Sequence, residues 1–124
     1  MAEKHKVLLV EDDEYLIGIY ATKFELEGCE VLRAGTGEEG LAIIKKEKPD
    51  LVLADILMPG ISGFELIKKV KADKEIQDIP IVILSNLGTK DDMAKGLKLG
   101  AVDYIIKVHL TPTEIFERVK KILK

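Results

Sequence analysis

The chain has 124 residues, with 19 Lys and Arg against 22 Asp and Glu for a formal charge of −3, and it is 47% hydrophobic and 33% charged. That size suits one domain holding its own core. The balance argues against disorder and against any net attraction to nucleic acid or anionic lipid, while the single Cys29 and the shortness of the first apolar run argue for a cytoplasmic protein with no disulfide, Cys-based zinc site, signal core or membrane span.

Met1–Lys6 is polar, and Val7-Leu8-Leu9-Val10 is the first continuous apolar run, predicted as a strand that ends at Glu11-Asp12-Asp13. Ile17, Tyr20, Ala21 and Phe24 then recur at helical spacing, and Gly28 reads as the stop of that helix. Glu30-Val31-Leu32 begins the second strand, which ends in Ala34-Gly35 and carries no chemistry there. Thr36 with Glu39 has capping-box spacing and opens a second helix. Leu51-Val52-Leu53-Ala54 is the third strand and ends at Asp55, after which Ser62 with Glu65 opens a third helix. Ile81-Val82-Ile83-Leu84 is the fourth strand and ends at Ser85; Met93, Gly96, Leu97 and Gly100 form the stripe of a fourth helix. Tyr104-Ile105-Ile106 is the fifth strand and ends at Lys107. Thr111 with Glu114, and Pro112 in the first helical position, open the last helix. Its stripe of Ile115, Val119, Ile122 and Leu123 is expected to run to Lys124, so that residues 1–124 make one domain.

Strand and helix thus alternate through the chain. Apolar runs without polar alternation suit strands buried on both faces, so the expected class is α/β with a parallel sheet covered by helices. In such sheets functional groups gather beyond the carboxyl ends of the strands. Here those ends present Glu11, Asp12, Asp55, Ser85 and Lys107: carboxylates, a hydroxyl and an ammonium.

The chain resembles the response-regulator receiver family of two-component signalling, of the stand-alone chemotaxis type. The resemblance is carried by Val7–Glu14, by Pro49–Gly60 with Gly63, by Pro80–Ser85 and by Gly100–Lys107, in that order along the whole chain. It implies a flavodoxin-like (βα)5 three-layer sandwich with a five-stranded parallel sheet of order 2-1-3-4-5. It further implies a phosphoacceptor in a phosphorelay, phosphorylated by a histidine kinase or phosphotransfer protein, with Mg²⁺.

By that resemblance Asp55 is the phosphoacceptor. An aspartate is ionised at neutral pH and needs no base. Its difficulty is repulsion from an anionic donor, about 4 kcal/mol for two charges ~4 Å apart at an effective dielectric of 20. Glu11 and Asp12 add to it unless a hard divalent cation sits among them. The resemblance assigns direct metal coordination to Asp12, Asp55 and the Leu57 backbone carbonyl, and a water-mediated role to Glu11. Lys107 is expected on a phosphoryl oxygen, with Ser85 donating its hydroxyl to another. Tyr104 is the aromatic that turns inward when Ser85 moves, which reshapes the face of the fourth helix, fifth strand and fifth helix toward a downstream protein. The plainer alternatives are an acidic helix N-terminus for Glu11 and Asp12, with Asp13 as its cap, a solvated lysine, a turn serine and a core aromatic.

Three features depart from the family's commonest pattern. Val108 replaces a proline preceded by a cis bond, so Lys107–Val108 is expected trans with a rerouted loop. Asn86 stands where Ala or Gly is usual, and is expected either to crowd the phosphoryl group or to bond to it. Leu57 and Leu87 leave no polar side chain to orient a hydrolytic water, so self-dephosphorylation is expected to be slow. His5 and His109 have no partners at ligand spacing, and Phe116 is expected in the core. A chain of this kind catalyses only its own phosphorylation and dephosphorylation and is not otherwise an enzyme. The competing readings are an aspartate-nucleophile, Mg²⁺-dependent phosphohydrolase, which lacks its second Asp because that position is Leu57, and a pseudo-receiver that only binds a partner.

Overall fold

The five apolar runs become five strands in a computed structural model that describes residues 4–123. They are β1 (Lys6–Val10), β2 (Glu30–Ala34), β3 (Leu51–Ala54), β4 (Ile81–Ser85) and β5 (Asp103–Ile106). The helices between and after them are α1 (Glu14–Leu26), α2 (Gly37–Glu47), α3 (Gly63–Lys71), α4 (Lys90–Leu99) and α5 (Pro112–Lys120), and a 3-10 turn covers Lys107–His109. Every strand pairing is parallel, in the order β2-β1-β3-β4-β5.

The strands are apolar on both faces because each face meets helices. Leu8, Val10, Val52, Ala54, Ile81, Ile83 and Tyr104 pack with Ile44 of α2 and Phe64, Leu66, Ile67 and Val70 of α3. The alternate residues Val7, Leu9, Leu51, Leu53, Val82, Leu84 and Ile105 pack with Ile17, Ala21 and Phe24 of α1 and Ile115, Phe116 and Val119 of α5. The strand period of two thus splits one apolar run between two cores. Phe116 belongs to the second core, where it meets Phe24 edge-on at 5.2 Å.

The caps follow the sequence closely. Asp13, Thr36, Ser62 and Thr111 all accept backbone amides at helix starts. A reciprocal capping box forms at Thr111–Glu114, but Glu39 bonds the Gly35 amide at 2.7 Å rather than Thr36. The start of α4, which the sequence left unmarked, is capped by Thr89 with Asp92.

The second strand ends at Ala34, as expected, where it pairs with Val10. Two expectations about elements are corrected. The α4 stripe is narrower than its spacing implied: Leu97 is exposed, Gly100 caps the helix at φ 121°, Met93 is half-buried, and Gly96 alone is buried. The last helix closes at Lys120; Ile122 and Leu123 pack from the turn that follows, and Lys124 lies outside the described residues. Among the described residues no helix is long and apolar enough to cross a membrane.

Candidate functional site

Parallel register aligns the carboxyl ends of the inner strands. Val10 pairs with Ala34 and Ala54, Ala54 with Ile83, and Ser85 with Ile106. The ladder extends one residue further: the Glu11 amide donates to Ala34 at 2.9 Å and the Asp55 amide to Val10 at 3.0 Å. These bonds set two carboxylates side by side at the top of adjacent strands.

Asp13 then decides which of the following acids faces inward. Its side chain caps α1 through the Tyr15 and Leu16 amides at 3.0 and 3.1 Å, and its own amide donates to Glu11 Oε2 at 3.1 Å. Glu11 is held inside as a result, while Asp12 projects into solvent. One carboxylate oxygen from each of Glu11, Asp12 and Asp55 lies within 4.8 Å of the others. A cleft of about 460 Å³ opens beside Glu11 and Asp12, bordered by Arg33 and Glu39.

Lys107 closes the site from the end of β5. Its ammonium donates to Asp55 Oδ2 at 2.8 Å and to Glu11 Oε1. All three side chains are at least nine-tenths buried. Burial pushes the Glu11 carboxyl above its usual range, against the pull of Lys107 and the Asp13 amide. Burial also draws the Lys107 ammonium down, but its bonds to Asp55 and Glu11 outweigh this and leave it above the ordinary lysine value. Glu11 thus makes a direct ion pair with Lys107 that the sequence did not announce. The other Asp55 oxygen, Oδ1, accepts the Ile56 amide at 2.7 Å.

Ser85 is buried, and its hydroxyl accepts the Leu87 amide at 3.2 Å. Tyr104 is turned into the molecule, and its hydroxyl donates to the Leu87 carbonyl. Burial, and then the charges of Asp92 and Asp55, push its phenol up to about 12. Leu57 holds its side chain 63% exposed in the loop after β3, and Leu87 is half-buried. The Lys107–Val108 bond is trans, and the rerouted loop takes the form of the 3-10 turn. Asn86 makes a contact that the sequence did not announce. Its side chain accepts the Val108 amide at 3.1 Å, a bond that joins two of the departures from the family pattern.

Sequence reasoning passed over Gly63 as more than a motif member. A Cβ there would lie 2.3 Å from the Asp55 carbonyl oxygen, so only glycine lets α3 begin this close to the phosphoacceptor candidate.

Residues 7–120 match the model of the response regulator receiver domain. The phosphate regulon transcriptional regulatory protein PhoB of Pseudomonas aeruginosa is 38% identical over 95% of the chain and 51% of its own length. The chain spans about half the length of the curated relatives it matches. Two solved structures share the fold at a TM-score of 0.88. The BeF3-activated N-terminal receiver domain of Klebsiella pneumoniae RstA is 31% identical and aligns over 96% of this chain and 98% of that one. A CheY-like response regulator receiver domain protein from Methanospirillum hungatei is 30% identical, over 96% and 93%.

Proposed function

The chain belongs to the response regulator receiver domain family, and from that premise we propose that it takes a phosphoryl group from the phosphohistidine of a histidine kinase or phosphotransfer protein onto Asp55, and so switches the binding of a partner. The convergence of Glu11, Asp12, Asp55 and Lys107 from three strand ends carries this reading. Receiver domains interact with such kinases or phosphotransfer proteins, and they bind Mg²⁺ at an acidic pocket. We read residues 1–124 as one receiver domain working in the cytoplasm.

The donor set fits that ion: three hard carboxylate oxygens within 4.8 Å suit Mg²⁺ and not a soft metal. Asp12, Asp55 and the Leu57 backbone carbonyl would hold it directly, and Glu11 through water. Bound there, it offsets the charge of the acids and of the phosphoryl oxygens.

Transfer follows from the chain's own groups. An Asp55 carboxylate oxygen attacks phosphorus; the new O–P bond forms as the P–N bond to the donor imidazole breaks, and the imidazole nitrogen keeps the electron pair. The Lys107 ammonium, 2.8 Å from Asp55, then meets the charge on a phosphoryl oxygen. Ser85 exchanges the Leu87 amide for another phosphoryl oxygen. Because Leu87 also holds the Tyr104 hydroxyl, movement of that loop reaches the ring. The ring underlies the face of α4, β5 and α5, where Leu97 and Val102 are exposed and Arg118 grips Asp103 at 3.0 Å; we assign the downstream contact to this face. The phosphoryl group shifts the equilibrium by its differential contacts in the two states. With Leu57 and Leu87 at the flanks the modified state decays slowly, and the only chemistry is the chain's own phosphorylation and dephosphorylation.

Intact-mass measurement after acetyl phosphate and Mg²⁺ tests this. One added phosphoryl group that Asp55→Ala abolishes is the expected result; an unmodified wild-type chain, or an equally modified variant, overturns it.

A further inference from the structure

Asn86 and Val108 lie 22 residues apart in sequence, and the Val108 amide donates to Asn86 Oδ1 at 3.1 Å. A proline at 108 would have no N–H to donate, so the bond needs the Asn86 side chain and any residue but proline at 108. Two neighbouring contacts tie the same loop to the same strand end. The Tyr104 hydroxyl donates to the Leu87 carbonyl. Gly88 sits so close to Ile106 that a Cβ would lie 2.8 Å from its Cδ1. Residues 86–88 thus hold residues 104–108 at three places, and Lys107 stands between the last two.

A lysine side chain is long and flexible, so the position of its ammonium depends on how firmly the backbone at its root is held. The Val108 side chain is 75% exposed and buries little that could hold the loop. The hydrogen bond from its backbone amide to Asn86 takes that part.

We propose that Asn86 is a positioning residue for phosphoryl uptake: its side-chain carbonyl pins the Val108 amide, fixes the backbone just after Lys107, and keeps the ammonium on Asp55 where phosphoryl charge develops. A proline would set that segment by its ring, permanently; here an amide sets it by a bond that can break. The pin also couples the loop carrying Ser85 to the loop carrying Lys107. The proposal rests on Asp55 being the phosphoacceptor.

The test compares the wild type with Asn86→Ala and Val108→Ala. Three things are measured: hydrogen exchange at the residue 108 amide in the unmodified chain, the thermal midpoint and Mg²⁺ affinity, and the uptake rate from acetyl phosphate at saturating Mg²⁺. In uptake an Asp55 oxygen bonds to phosphorus as the P–O bond to acetate breaks. Asn86→Ala is expected to speed exchange and to slow uptake about 3- to 10-fold, the loss of one modest hydrogen bond in the transition state. It should lower the midpoint by no more than the loss of that one hydrogen bond and leave Mg²⁺ affinity unchanged, and Val108→Ala, which keeps the N–H, should match the wild type in exchange at residue 108 and in uptake. Uptake by Asn86→Ala at the wild-type rate overturns the proposal. So does a fall in Mg²⁺ affinity that parallels the rate, since that marks general loosening of the site. A wild type that gains no phosphoryl mass removes the phosphoacceptor reading and this proposal with it, and is distinguished by failing before any variant is compared.

Discussion

At Lys107 a single ammonium balances two buried carboxylates, Glu11 and Asp55. Breaking a buried ion pair by removing one partner costs about 3–5 kcal/mol, because the other charge is left uncompensated. Lys107→Met is therefore expected to lower the urea unfolding free energy by that order and to slow phosphoryl uptake at least tenfold, about 1.4 kcal/mol of transition-state stabilisation. A ligand that binds only the folded state adds stability in proportion to its affinity. Mg²⁺ should therefore restore more stability to the variant, whose acids lack their internal cation, than to the wild type. Equal gains would contradict this account of the site. Tyr104 makes a separate prediction. Its phenol is raised from 10.0 to about 12, so the folded state holds the proton more tightly than the unfolded. The stability this contributes is complete below pH 10.0 and drains as pH rises through about 12. Tyr104→Phe should lose the corresponding step of tyrosinate absorbance and show a shallower alkaline fall in unfolding free energy.

At the scale of elements, close approach by glycine sets how the helices seat. A Cβ on Gly63 would lie 2.3 Å from the Asp55 carbonyl oxygen and 2.8 Å from the Ile56 Cα, both backbone atoms that cannot swing aside. Gly63→Ala must push α3 from the loop that carries Asp55. We expect a destabilisation of about 1–3 kcal/mol, the usual range for overpacking, together with slower phosphoryl uptake. Gly18→Ala on α1 makes the opposite control. A Cβ there meets nothing within 4 Å, and alanine should add about 0.5–1 kcal/mol. Thermal melts of both variants check the pair; a stable Gly63→Ala would show that α3 has more room than the packing indicates. The seating of α4 follows the same logic, since Gly96 lets it lie against Ile83 and the Tyr104 ring.

For the whole molecule, the sheet is the partition between two cores, and the first and last helices share one of them. Phe24 of α1 and Phe116 of α5 meet at 5.2 Å with their rings 88° apart. Phe24→Ala should cost about 3–5 kcal/mol. Because the loss falls on both ends of the chain at once, unfolding should remain one transition with matching calorimetric and van't Hoff enthalpies. A separate early transition would show instead that the two cores melt independently.

How much of this was legible in the sequence depends on the range of the forces involved. Apolar runs, helix caps and the Gly28 stop express interactions between near neighbours, so the elements, the helix starts at Thr36, Ser62 and Thr111, and the acids at strand ends could be read directly. The strand order came with the family resemblance and not from the apolar pattern, which is the same for any order. Local spacing misled where burial decided: Leu97 and Gly96 share one stripe in sequence, yet only Gly96 reaches the sheet. Lys48 ends α2 in the left-handed conformation, at φ 45°, with no glycine to announce it. The pairing of Lys107 with Glu11 and Asp55 spans 96 and 52 residues, and that of Asn86 with Val108 spans 22. The sequence by itself determined which groups stand at the strand ends. Parallel register and the packing of both cores decided which of them touch, since side-chain contact across a sheet is set by distance in space and leaves no trace in local periodicity.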